Sequence, residues 1–168
     1  MIPLVESAEA LLQLAELARH PHVLRLAVGE ADLAADLRLR PSPGEPELLP
    51  IRLQVVVASA AAGLEAPIGA VATDFRDLDA LRASTRGLAD LGFRARSAIH
   101  PAQVAVINGG ADAARERGGA GAPARRAVQD VRRRREGATT GEDGRMVDAA
   151  VIRSARETLA HARRAGEP

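Results

Sequence analysis

The chain has 168 residues, room for one domain and a small appendage, and 46% of them are apolar. Its 23 basic residues are all arginine, it has no cysteine, and its formal net charge is +1. A Schiff-base lysine, thiolate metal ligands, disulfides and a cysteine nucleophile are therefore excluded, and nothing in the charge balance argues for a nucleic-acid partner.

With two Phe and no Tyr or Trp, the core has to be built from Ala, Leu and Val, which bury less area per residue than aromatics. No basic segment leads into an apolar run at the start, and no stretch has the length of a membrane span, so the expectation is a soluble, cytoplasmic protein. The first residues, Met1 to Ser7, predict a short buried strand. Ser7 is positioned to cap a helix over 8–20, with Leu11, Leu14, Ala15 and Ala18 at helical spacing. Pro21 closes it. Val23 to Val28 predicts a second strand that runs into Gly29-Glu30-Ala31-Asp32.

Residues 38–50 hold four prolines and a glycine and predict a loop. Leu53 to Ala62 fits helix or strand by periodicity, and Gly63 as its terminal residue favours helix. Pro67 to Ala72 predicts a third strand. Asp77 can cap a helix over 78–91 whose apolar face is Leu78, Leu81, Leu88 and Leu91, with Gly92 ending it. A fourth strand follows over 93–98, and Pro101 opens a short helix carrying Val104 and Ile107. The alternation predicts parallel strands with helical crossovers: half of an eight-stranded barrel, or a small open sheet. After Asn108 the composition changes. Residues 109–123 are Gly/Ala-rich and read as a linker. A helix over 124–136, a turn at 141–144 and a helix over 148–164 predict a small helical appendage. The run Arg132 to Arg135 has no aromatic neighbour for base stacking and reads as a solvated helix face.

Two carboxylates stand out. Glu6 closes the first strand and Asp32 follows the second. If those strands are neighbours, both side chains face the end of the sheet where barrel enzymes hold their active sites. Two hard oxygen ligands, with other positions left to water and substrate, suit Mg²⁺. The plainer alternative is that Glu6 favours a helix dipole and Asp32 caps a loop.

Five segments occur in one order: Pro3-Leu4-Val5-Glu6-Ser7-Ala8; Gly29 to Leu37; Thr73-Asp74-Phe75-Arg76-Asp77-Leu78; Gly92 to Gln103; and Gly144-Arg145-Met146-Val147-Asp148-Ala149. Together they resemble the citrate lyase β-subunit-like proteins of the HpcH/HpaI aldolase/citrate lyase superfamily, with malyl-CoA lyases as relatives. The resemblance implies the last four βα units of a (β/α)8 TIM-type barrel over 1–108, the linker, and a C-terminal helical lid over 124–168. It implies Mg²⁺ held by Glu6 and Asp32, and retro-Claisen or retro-aldol cleavage of the CoA thioester of a hydroxy acid, releasing a 2-oxo acid.

Asp148 matches the family's lid aspartate, which would handle the proton on the acetyl-CoA carbon of a neighbouring subunit; that implies a homo-oligomer. By its local sequence Asp148 is equally a helix N-cap, with Val147 and Ile152 at the spacing of a hydrophobic staple. Arg94, Arg96 and His100 fall in the segment beside the CoA-binding mouth, where the arginines could meet phosphate; surface solvation and a helix cap are the plain alternatives. Asp74 and Asp77 match a family motif, and capping accounts for Asp77. The chain departs from the family in two ways. Four βα units that normally precede it, with a substrate-gripping arginine, have no counterpart. The acid usually found directly before the metal Asp is displaced, since Ala31 stands there and the acid is Glu30. The expected activity is that of an incomplete lyase, and the alternative is a non-catalytic remnant or oligomerisation module of the same fold.

Overall fold

The computed structural model describes residues 1–118, 139–140 and 146–147. It divides into two compact units, Met1–Ala111 and Asp112–Pro168. The first is a parallel α/β unit. Its strands are β1 (Leu4–Val5), β2 (Ala27–Val28), β3 (Ile68–Gly69) and β4 (Ala95–Arg96), hydrogen-bonded side by side in that order and all parallel. Parallel neighbours need a crossover, and the helices supply it. Helices α1 (Ala8–Leu12) and α2 (Leu14–Arg19) join β1 to β2; α3 (Glu30–Asp36) and α4 (Leu49–Ala61) join β2 to β3; α5 (Leu78–Leu91) joins β3 to β4; α6 (Pro101–Gly118) follows.

Local chemistry explains most boundaries. Ser7 Oγ accepts from the Ala10 amide at 3.2 Å and starts α1. Asp77 Oδ1 accepts from the Ala80 amide at 2.8 Å and starts α5. Gly92, with φ of +117°, ends it in the left-handed conformation that glycine adopts without a Cβ penalty. Gly63, at φ +69°, follows α4, so the ambiguous segment around Leu53 is helical.

Four expectations change. The single helix over 8–20 is broken at Gln13; Leu14 and Ala18 are buried, and Ala15, expected on the apolar face, is exposed. Residues 30–36 form a helix that the sequence reading does not contain. The expected loop over 38–50 ends early, in a 3-10 turn at Pro46–Leu48 that leads into α4. The helix opened by Pro101 runs to Gly118, into the segment read as a linker. Among the described residues of the second unit, strands β5 (Thr139–Thr140) and β6 (Met146–Val147) pair antiparallel around the expected turn. The helices expected over 124–136 and 148–164, with Arg132 to Arg135, lie outside the described residues.

Side chains alternate across a strand, so the pairing register sorts them into two rows. Val5 lies beside Val28, and Gly69 beside Arg96. This row faces the helices. Val5 and Val28 join Leu14, Ala18, Leu26, Val55, Leu88 and Phe93 in the main core. Gly69 is there because α5 comes close: a Cβ on it would stand 2.7 Å from Leu88 Cδ1. The opposite row begins at Leu4, which is 52% exposed.

Candidate functional site

The first crossover places Glu6. It is exposed and follows β1 directly, before Ser7 turns the chain into α1. Asp36, at the end of α3, accepts from the Ala8 amide at 2.6 Å and ties that turn to α3. Because β1 pairs with β2, Glu6 comes beside Gly29, whose amide donates to Val5 O at 2.9 Å. A Cβ on Gly29 would stand 2.9 Å from Glu6 Cβ and 3.2 Å from Glu6 Oε2. Only glycine leaves the Glu6 carboxylate room at this point. Gly29 is also the residue from which α3 starts, and the first turn of α3 carries exposed Asp32. Both carboxylates therefore stand at the C-terminal ends of two paired parallel strands.

Glu30, in the same turn as Asp32, is differently placed. Arg52 on α4 grips it in a fork: Nε donates to Oε1 and Nη2 to Oε2, each at 2.6 Å. The same Nη2 donates to Glu45. Arg52 is 8% exposed. Its hydrogen bonds to Glu30 outweigh burial and hold its pKa above the ordinary guanidinium value. Both Glu30 oxygens accept from Arg52.

Asp32, Glu30 and Arg52 line a cleft of about 1380 Å³ that continues past Asp74 and Asp77 to Arg96. Asp74 Oδ1 accepts from the Arg76 amide at 2.9 Å and so shapes the turn after β3. Among the described residues no group of three or more His, Cys, Asp or Glu could close around a metal. Glu6 is not among the residues that line this cleft; Glu6 and Asp32 are both exposed, and two carboxylates suit in kind a hard cation such as Mg²⁺, which keeps several waters and takes few protein ligands.

The other expected site residues separate. Arg96 shares its row with Gly69 and points under α5. Its Nε donates to Ala70 O at 2.9 Å, and its Nη1 to Ser84 Oγ at 2.7 Å and Thr85 Oγ1 at 2.9 Å. Burial pushes its pKa down, with Glu30 opposing. Arg94 precedes β4, at the opposite end of the strands from Glu6. Its Nη1 donates to Ala89 O at 2.8 Å and Phe93 O at 2.9 Å, around the end of α5. Both arginines thus have packing or capping tasks within the fold, and Arg96 also lines the cleft.

His100 does stand at the C-terminal end of β4, exposed. It stacks on Phe75 with ring centroids 4.7 Å apart and planes 17° from parallel, and its Nδ1 accepts from the Ala102 amide at 3.1 Å. Asp148 lies outside the described residues. Sequence reasoning gave no role to Gly29, Arg52 or Gln103. Gln103 is fully buried; its Oε1 accepts from Ile99 N at 2.9 Å and His100 N at 3.2 Å, and its Nε2 donates to Ala72 O at 2.8 Å. It fixes the loop after β4 to the loop after β3. The signal for Gly29 was available, as a glycine between a strand and an acidic turn. Arg52 had none, because its partner is 22 residues away.

The model of the HpcH/HpaI aldolase/citrate lyase family matches residues 1–101. A citrate lyase subunit beta-like protein of Deinococcus radiodurans is 34% identical over 149 residues, covering 87% of this chain and 51% of the relative. A (3S)-malyl-CoA thioesterase of Cereibacter sphaeroides is 34% identical over 105 residues, covering 62% of this chain and 36% of the relative. The crystal structure of the Mycobacterium tuberculosis protein CitE with magnesium, acetoacetate and coenzyme A superposes with a TM-score of 0.77 at 32% identity, over 99% of this chain and 61% of that one. The chain thus spans about a third to a half of the length of these curated relatives.

Proposed function

The chain belongs to the HpcH/HpaI aldolase/citrate lyase family, and from that premise we propose that it carries the metal-binding half of a Mg²⁺-dependent carbon–carbon lyase. The substrate class is the CoA thioester of a hydroxy acid, of citryl-CoA or malyl-CoA type, cleaved to acetyl-CoA and a 2-oxo acid. One observation carries this reading: Glu6 and Asp32 stand at the ends of paired strands on either side of Gly29, where a side chain would collide with Glu6. The solved relative with magnesium, acetoacetate and coenzyme A supports it. Bound magnesium would polarise the oxygen of the 2-oxo acid and stabilise charge as the carbon–carbon bond breaks.

The chain's own residues orient and hold. Glu6 and Asp32 supply the two anionic ligands, and Asp74 shapes the turn at the far side of the cleft. His100, stacked on Phe75 at the C-terminal end of β4, is assigned to the CoA portion. Asp148 is proposed to take and return the proton on the acetyl carbon. The sheet order β1-β2-β3-β4 with helical crossovers supports four consecutive units of a (β/α)8 barrel. Residues 124–168 are assigned as the lid. Closing such a sheet into a barrel requires four more strands, so full activity requires the other half of the barrel.

Titration of the purified chain with Mg²⁺ by calorimetry, followed by assay of 2-oxo acid release from malyl-CoA and citryl-CoA, tests the reading. Glu6→Ala and Asp32→Ala are each expected to weaken Mg²⁺ binding by more than about tenfold. Unchanged affinity in both variants sinks the site. A chain that binds no Mg²⁺ and releases no 2-oxo acid supports a non-catalytic module of the same fold instead.

A further inference from the structure

We infer that Arg52 is the positioning residue of the candidate metal site: by clamping Glu30 it sets the first turn of α3, and with it Asp32. The inference rests on the two-carboxylate reading above.

Four observations support it. Arg52 is nearly buried, and a guanidinium is not placed there without partners that compensate its charge. Its fork meets both oxygens of Glu30, a geometry that fixes orientation as well as distance. Glu30 and Asp32 belong to the same helical turn, so holding the first restrains the second. The second partner, Glu45, has φ of +55°, a strained conformation for a non-glycine residue that persists only when its surroundings hold it. Arg52 therefore joins three segments that meet only in the folded chain: the start of α3, the loop before the 3-10 turn, and α4.

The charge of Glu30 is balanced within the fold by Arg52. Lysine could neutralise Glu30 but offers no fork, so it would hold the charge and not the orientation.

The test uses two readouts. In metal-free protein, hydrogen exchange at the Leu33 amide, which donates to Gly29 O at 3.0 Å, reports the hold on the first turn of α3. Calorimetric Mg²⁺ affinity reports the site. Arg52→Gln is expected to speed exchange at Leu33 and to weaken Mg²⁺ binding about tenfold, because the turn that carries Asp32 loses its anchor. Arg52→Lys is expected to fall between Arg52→Gln and the wild type on both readouts.

Should Arg52→Gln leave too little folded protein, the variant Arg52→Met/Glu30→Gln/Glu45→Gln removes all three charges together and avoids a stranded one. It is expected to fold, with the same two losses. Unchanged Leu33 exchange in the folded variants overturns the inference whether or not the wild type binds Mg²⁺. Weaker binding in Glu6→Ala but not in Arg52→Gln overturns it while leaving the metal reading intact.

Discussion

The two sides of the sheet are drawn from the same small set of side chains and serve different ends. On the helix side, Val5, Val28 and Gly69 meet Leu88, Val55 and Phe93, and the packing is close enough that Gly69 has no room for a Cβ. On the other side Leu4 is half-exposed, and Glu6 follows it on the same face as the strand ends. A core poor in aromatics closes one side by close approach of backbone and aliphatic groups. It leaves the other side for charged groups at the strand ends. Stability should therefore be concentrated in the packed core and ligand binding at the strand ends.

Four substitutions bear on that division. Phe93→Ala empties the largest fully buried side chain among the described residues and is expected to cost about 3–5 kcal/mol in denaturant unfolding. The fraction that stays folded should keep its Mg²⁺ affinity; weaker binding there would break the separation. Gly29→Ala should do the reverse. The new methyl displaces Glu6, so Mg²⁺ affinity is expected to fall about tenfold, roughly 1.4 kcal/mol, with a smaller change in melting temperature. Loss of stability without loss of binding would show that Gly29 serves only the fold.

Asp77→Ala removes the cap of α5 and is expected to cost about 1 kcal/mol, read from the midpoint of urea unfolding. Leu4→Ser is expected to change stability by less than about 0.5 kcal/mol, because the side chain already meets solvent. A markedly larger loss, growing with protein concentration, would mean that a second polypeptide covers this face.

Legibility of the fold followed the range of the interaction. Ser7, Asp77 and Gly92 act within one helical turn, and both caps and the full span of α5 were readable. The helix start at Glu30 was not: Gly29 makes no side-chain cap, and the turn is held by Arg52 instead. The split at Gln13 was hidden for a related reason, since the 3.6-residue pattern continues through it while Ala15 turns outward.

The sequence by itself determined the alternation of strands and helices, the caps, the absence of lysine and thiolate chemistry, and the two acidic residues at strand ends. Each is a property of residue type and near-neighbour spacing. Only the tertiary structure decided the surroundings of each carboxylate. Glu6 is set beside Gly29 by the register of β1 on β2, and Glu30 is engaged by an arginine 22 positions away. Strand alternation decided the rest: a residue's face depends on register, and register turned Arg96 under α5.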